Sequence, residues 1–492
     1  MKRPLIRRHR SSRREDGMTM VLVAVAMVAI VAMAALSIDV VTLYLARMEA
    51  QRAADAGALA AARVISVSGM TGDPTNTSGS WGSICGGSTS VATQAALAAA
   101  TQGTIDGVSP TSPAPTVKYS AGGAAANTTC VGLPAAFAVN PMVTVQVTRN
   151  NLPTFFSRLW GNTGNTVNAT AVAEAFDSSN SGNESNGGST GTITPVQPRC
   201  VKPWLVPNQD PLYFQPTHGN YCNQGGGPGA CRSLVSISDG ALTHPGISPS
   251  SGANGVSGVI GETFWISPVC THTGSGCTFR AGANPPTANY TGNAYVPAPP
   301  NLLYLPGQAP TTTPVAVPSC SAGQSLYQEA VAGCDQSTVY QCGVQTQNTV
   351  QLSENPDIDT SDGVQCLIHE AGPSQLSDGQ DSINNSAYPF QFLAGSANPL
   401  VGAALSGNQI TASNSIVSLP IYDSANDTIN GSGTTQVTIV GFLQVFINQV
   451  DQYGSVSVTV LSVTGCGNGN GQPVGTAVTG SSPVPIRLIT AP

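Results

Sequence analysis

One stretch constrains this chain more than any other. Met18 to Ile38, MTMVLVAVAMVAIVAMAALSI, runs for 21 residues without a charge. As a helix rising 1.5 Å per residue, the run is roughly 31 Å long, which matches the hydrocarbon core of a bilayer. Lipid offers no partner for backbone N–H and C=O groups, so a single span must be helical. Seven of the 18 Lys and Arg residues precede it, between Lys2 and Arg14. That asymmetry predicts a cytoplasmic basic tail (1–17), a transmembrane helix (18–38) and an extracytoplasmic remainder from Asp39 onward. A second apolar run, QVTIVGFLQVFINQV, is short, β-branched and interrupted by Gln444 and Asn448. It reads as a strand.

A cleaved secretory signal is the competing reading, with Ala32-Met33-Ala34 as the cut. The apolar run is longer than an ordinary signal core, and helix-forming sequence continues through that point, which favours an uncleaved anchor. The RREDG stretch ending at Gly17 resembles the cleavage region of type IV prepilins. Those proteins usually carry Glu at the fifth position after the cut, and here that position is Leu22.

From Asp39 to Ile65 there is no proline and one glycine, Gly57. Ala, Leu, Met, Arg, Glu and Gln dominate, so the helix is predicted to continue past the membrane. Ala46, Ala50, Ala54, Ala58 and Ala62 recur every four residues, with Ala53, Gly57 and Ala61 beside them. A face this small permits close backbone approach. It packs either on the chain's own body or on a partner.

The pattern IDVVTLYLARMEAQRAADAGALAAAR, with a glycine shortly before the span, resembles the N-terminal module of TadE/TadG-like Flp (tight-adherence) pilus assembly proteins. The residues carrying the resemblance are Gly17, Asp39, Tyr44, Gln51 and Ala53-Ala54-Asp55-Ala56. A weaker likeness follows in PMVTVQVTRNNLPTFFSRLWGNTGNTVNATAVAEAF and in IVGFLQVFIN near the C-terminus. The resemblance implies a non-catalytic, single-pass protein of the bacterial inner membrane that works with other pilus assembly or secretion proteins, or with a second copy of itself. Asp39, Tyr44, Gln51, Ala54, Asp55 and Ala58 are the candidate interaction residues.

The remainder of the chain is unlike a cytosolic enzyme. It has 54 Gly, 36 Pro and only 9% charged residues, a composition suited to loop-rich extracytoplasmic domains. Beyond Arg63 it holds eight basic and twenty acidic residues. A body this acidic lacks the positive footprint that nucleic acid requires. Twelve cysteines, all after residue 80, show no two-residue spacing of zinc or thioredoxin type. In an exported body they predict disulfides, with the near neighbours Cys222–Cys231, Cys270–Cys277 and Cys334–Cys342 as candidate pairs.

The expected class is α+β. A module over 39–176 contains a second Ala-rich helix, VATQAALAAATQG, stopped by Gly103, and strands at Val143–Val147 and TVNATAVAEAF. A polar linker over 177–198 separates it from a β-rich domain, 199–492, expected to be a sandwich or barrel. Within that domain the proline-dense stretch 283–318 suggests extended polyproline-like backbone.

Chemical motifs are weak. Asp177-Ser178-Ser179-Asn180-Ser181 and Gly187-Gly188-Ser189-Thr190-Gly191 mimic a metal loop and a nucleophile elbow, but both lie in low-complexity sequence without the strand and helix such sites need. Asp357, Asp359 and Asp362 read as an exposed acidic turn, and the glycine that a calcium loop requires arrives one residue late, at Gly363. No catalytic residue, metal ligand or cofactor is expected. The alternative function is an exported adhesin or binding protein tethered by its anchor.

Overall fold

The computed structural model describes residues 13–67, 80–121, 125–134, 141–154, 163–175, 196–214, 231–237, 242–244, 258–272, 277–279, 300–308, 325–335, 340–341, 347–370, 379–385, 390–399, 405–410, 412–429, 434–466, 478–480 and 486–489, with a few single positions between them. The linker expected at 177–198 lies outside the described residues up to position 195, as do both low-complexity motifs.

The first element is one unbroken helix, α1 (Arg13–Val67). Its apolar stretch is exposed around its whole circumference: Met20 is 77% exposed and Val28 70%. A soluble core helix buries one face, whereas a helix apolar on all sides and bare on all sides requires an apolar solvent. Burial begins only at the far end, at Ala35 and Asp39, and then recurs at Ala46, Ala50, Ala53, Ala54, Ala58, Ala61, Ala62 and Ile65. This is the small-residue face read in the sequence. The helices α2 (Ser80–Cys85) and α3 (Val91–Gln102) follow. The strands β1 (Thr116–Ser120), β2 (Met142–Leu152) and β3 (Asn165–Ala175) form a sheet in that order. Cys85 is disulfide-bonded to Cys130. Beside it Phe137 meets Trp81 and Tyr119 edge-on, and the Tyr119 hydroxyl bonds Thr93 Oγ1 at 2.7 Å.

Further strands are β4 (Val196–Pro198), β5 (Trp204–Pro207), β6 (Asp210–Phe214), β7 (Cys231–Arg232), β8 (Thr263–Pro268), β9 (Cys270–His272), β10 (Cys277–Phe279), β11 (Asn301–Gln308) and β12 (Gln347–Leu352). They are followed by β13 (Ser382–Asn384), β14 (Gln391–Leu393), β15 (Gln409–Ile410), β16 (Ile416–Tyr422), β17 (Thr434–Val450), β18 (Val456–Gly465), β19 (Val478–Gly480) and β20 (Ile486–Ile489). The main sheet runs β12-β11-β5-β16-β17-β18-β8, and β8 pairs in parallel with β11. That last pairing closes a ring of six strands, β11-β5-β16-β17-β18-β8, of the barrel-like kind expected for this region. β12 adds to both β11 and β17.

Both sheet faces are covered, which is why the strands read as nearly continuous apolar runs. Trp204, Val206, Leu302, Tyr304, Leu443, Val445, Val456 and Val458 belong to one core, together with Tyr327, Val331, Val364 and Ile368 from the helices Leu326–Ala332 and Pro356–Ile368. Leu205, Leu303, Leu305, Phe442 and Tyr422 belong to the other.

Two expectations are corrected. Residues 301–308, inside the proline-dense stretch, are not polyproline-like: they form β11, buried at every position and paired on both sides. The run NLLYL supplies apolar side chains to both cores, and Pro306 needs no N–H where only its carbonyl is used, accepting from Ser353 N at 2.8 Å. Asp357, Asp359 and Asp362 are not in a turn but in the helix Pro356–Ile368, with proline in its first turn and two of the acids there complementing the helix dipole. Asp359 is buried and accepts from Ser325 Oγ at 2.6 Å.

The C-terminal end also returns. β20 pairs antiparallel with the last residues of β3, Ile486 opposite Ala175, and Arg487 meets Glu174 in an ion pair. β19 pairs in parallel with β4.

Lys202 gives this fold a pH dependence. It is 3% exposed, and its Nζ donates to Gly333 O at 2.6 Å and approaches Ala330 O at 3.5 Å, both at the C-terminal end of the helix Leu326–Ala332. Burial pulls its pKa down to about 7, against the opposing pull of Asp335. Below pH 7 folded and unfolded chains both carry the proton and the folded chain bears the full burial cost. Between about pH 7 and 10 only the unfolded chain holds it, so stability rises with pH. From pH 7 to 9 the gain is about 2 kcal/mol. Denaturant titrations should show that gain in the wild type and lose it in Lys202→Met.

Candidate functional site

The site begins where α1 leaves its apolar stretch. Asp39 is 7% exposed, one turn past Ala35. Its carboxylate accepts from the backbone N–H of Phe156, at 3.1 Å through Oδ2 and 3.4 Å through Oδ1. A buried carboxylate is costly without such a donor, so Asp39 works as a clasp on the segment after β2. Three turns further, Gln51 Nε2 donates to Asp55 Oδ1 at 2.8 Å and to the carbonyl of Thr170, in β3, at 3.2 Å. Gln51 and Asp55 stand four apart, so they share a helix face, and the carboxylate orients the amide toward the strand. Between these two clasps Glu49 Oε2 accepts from Asp106 N at 2.7 Å.

The six candidate interaction residues therefore divide. Asp39 and Gln51 join α1 to other parts of its own chain, and Asp55 supports Gln51. Ala54 and Ala58 are 0% exposed. Within the chain their side chains are covered by this protein's own fold. Tyr44 is 63% exposed, and Val40, Val41, Leu45 and Met48 accompany it at 41–57%. This side of α1, just past the apolar stretch, remains open.

Asp39→Ala removes the acceptor of a part-buried N–H, a loss of about 2 kcal/mol. The thermal midpoint of the detergent-solubilised chain should fall, and Asp39→Asn, which retains an acceptor oxygen, should fall less.

Among the candidate cysteines, Cys334 bonds Cys200 rather than Cys342. The helix Leu326–Ala332 carries Cys334 back to the entrance of β5, so a partner 134 residues away in sequence comes within bonding distance. Cys270 stands opposite Phe279, and Cys277 opposite His272, in the β9–β10 ladder. Cys231, Cys270, Cys366 and Cys466 are disulfide-bonded. Cys222 and Cys342 lie outside the described residues.

The structure also assembles a group that sequence reading missed. Asp210, His244 and Glu262, all buried, bring their ligating atoms within 4.8 Å of one another. Asp210 opens β6, while His244 and Glu262 lie 18 residues apart in the connection between β7 and β8. These separations follow no metal-binding spacing, so no local signal marks them.

Comparison with known proteins bears on α1 alone. No curated protein and no solved structure matches the chain. Residues 17–64 match the family model described as putative Flp pilus-assembly TadE/G-like. The match spans about a tenth of the chain, and within it lie both clasps and the alanine face. Over α1, from before the apolar stretch to the last buried alanines, this protein is similar to the TadE/G-like family of Flp pilus assembly.

Proposed function

We propose that this protein is a membrane-anchored, non-catalytic accessory of Flp pilus assembly, held in the bacterial inner membrane by Met18–Ile38 with its body outside the cytoplasm. One observation carries the reading: the segment similar to TadE/G-like proteins is a single rigid helix, bare and apolar where it would cross lipid and fastened to its own fold where it emerges. Contacts with other pilus proteins then fall on the exposed side around Tyr44, because the alanine face is occupied.

Deleting the gene in the native bacterium tests this. Surface pili should be lost and restored by the full chain. Normal pilus numbers with impaired surface attachment would support the tethered-adhesin alternative instead.

A further inference from the structure

We infer that Asp210, His244 and Glu262 form a binding site for a divalent cation of the zinc class, placed where the connections after β5 and before β8 meet. The geometry is built from the backbone outward. Asp210 Oδ1 accepts from the N–H groups of Leu212 and Tyr213 at 3.0 and 3.1 Å, which leaves Oδ2 facing His244 Nδ1 at 3.1 Å. Tyr213 stacks on the His244 ring, with centroids 4.0 Å apart and planes 10° apart, and fixes its orientation. The His244 carbonyl accepts from Val259 N, the Val259 carbonyl accepts from Glu262 N, and the Glu262 carbonyl accepts from Val460 N in β18. All three side chains are thus held by fixed backbone.

Glu262 is the decisive member. It is 1% exposed, and neither carboxylate oxygen has a hydrogen-bond partner among the described residues. Its Oε1 stands 3.8 Å from His244 Nδ1, beyond hydrogen-bonding distance. Asp210 is a second carboxylate beside it, and while both are ionised neither can donate to the other. A buried carboxylate that is donorless while ionised, aimed at an imidazole and another carboxylate, is relieved by a proton or by a cation held among the three, and the fixed orientation of all three side chains suits the cation.

The spacing suits a small ion. Zinc bonds of about 2.0–2.2 Å in a tetrahedron place ligand atoms roughly 3.3–3.6 Å apart. The observed separations of 3.1 and 3.8 Å bracket that edge. One imidazole nitrogen beside two carboxylate oxygens selects a zinc-class ion over calcium, which takes six to eight oxygens. Buried, and tying the start of β6 to the connection before β8, the ion would brace the fold.

The test uses the full chain in detergent, without a histidine tag, dialysed against chelator and titrated with zinc chloride. One tightly bound zinc per chain is expected, raising the thermal midpoint by about 5 °C at saturation. Glu262→Gln keeps the shape, removes the charge, and should weaken zinc binding at least about tenfold. Cobalt(II) added to the wild type should give visible d–d absorption that zinc abolishes, a readout that needs no variant. Absence of stoichiometric zinc binding, absence of the cobalt signal, or unchanged affinity in Glu262→Gln would each overturn the site.

Discussion

Replacing Cys334 by serine should lower the unfolding free energy by about 4 kcal/mol, one of the largest single losses available in this chain. The Cys200–Cys334 bridge closes a sequence separation of 134 residues. A cross-link of that span removes much of the unfolded chain's freedom, which is where a disulfide exerts most of its effect. The bridge also sits beside Lys202 and Gly333, the contact that seats the helix Leu326–Ala332 on the entrance to β5. Trp204, fully buried in the barrel core, reports the transition by fluorescence. Denaturant curves of wild type and Cys334→Ser, both at pH 7 in detergent, give the difference. A loss below about 1 kcal/mol would mean that the other bridges already confine the unfolded chain.

Gly465→Ala should cost about 3 kcal/mol or more, a large effect for one methyl group. Gly465 faces Gly441 across the β17–β18 ladder. A Cβ at 465 would lie 2.0 Å from the carbonyl oxygen of Gly240, a backbone atom in a turn whose own φ is +72°. Backbone cannot swing aside as a long side chain can. Gly103→Ala is the control, because nothing lies within 4 Å of the added carbon. Soluble yield and denaturant midpoint should fall for the first variant and hold for the second.

The parts of this fold that declare themselves in sequence are those whose cause is local. α1 was legible because charge-free length, basic flank and alanine spacing are all properties of neighbours along the chain. β16, β17 and β18 were legible as β-branched runs, and Gly103 marked the end of α3. β11 was obscured because prolines around NLLYL imitate extended, unpaired backbone, and its role depends on partners as distant as β5 and β8. The helix Pro356–Ile368 was obscured by Asp, Ser and Gly, poor helix formers in its interior, which tertiary packing of Val364 and Ile368 overrides. The Cys200–Cys334 pairing and the Asp210–His244–Glu262 cluster depend on chain closure over tens of residues. At the site itself, the resemblance singled out Asp39 and Gln51, but only the folded structure brings Asp39 to the Phe156 N–H and Gln51 to the Thr170 carbonyl. The alanine face carried two readings in sequence, and its burial within the single chain supports packing on the chain's own body.

The central claim is that pilus assembly uses this body only while α1 holds it at the membrane. The most direct measurement replaces residues 1–38 with a cleavable secretory signal in the deletion strain. Surface pili are then counted while the released body is assayed in the extracytoplasmic fraction. The account predicts a folded, disulfide-bonded, soluble body and cells without pili. Full piliation by that unanchored body would contradict it.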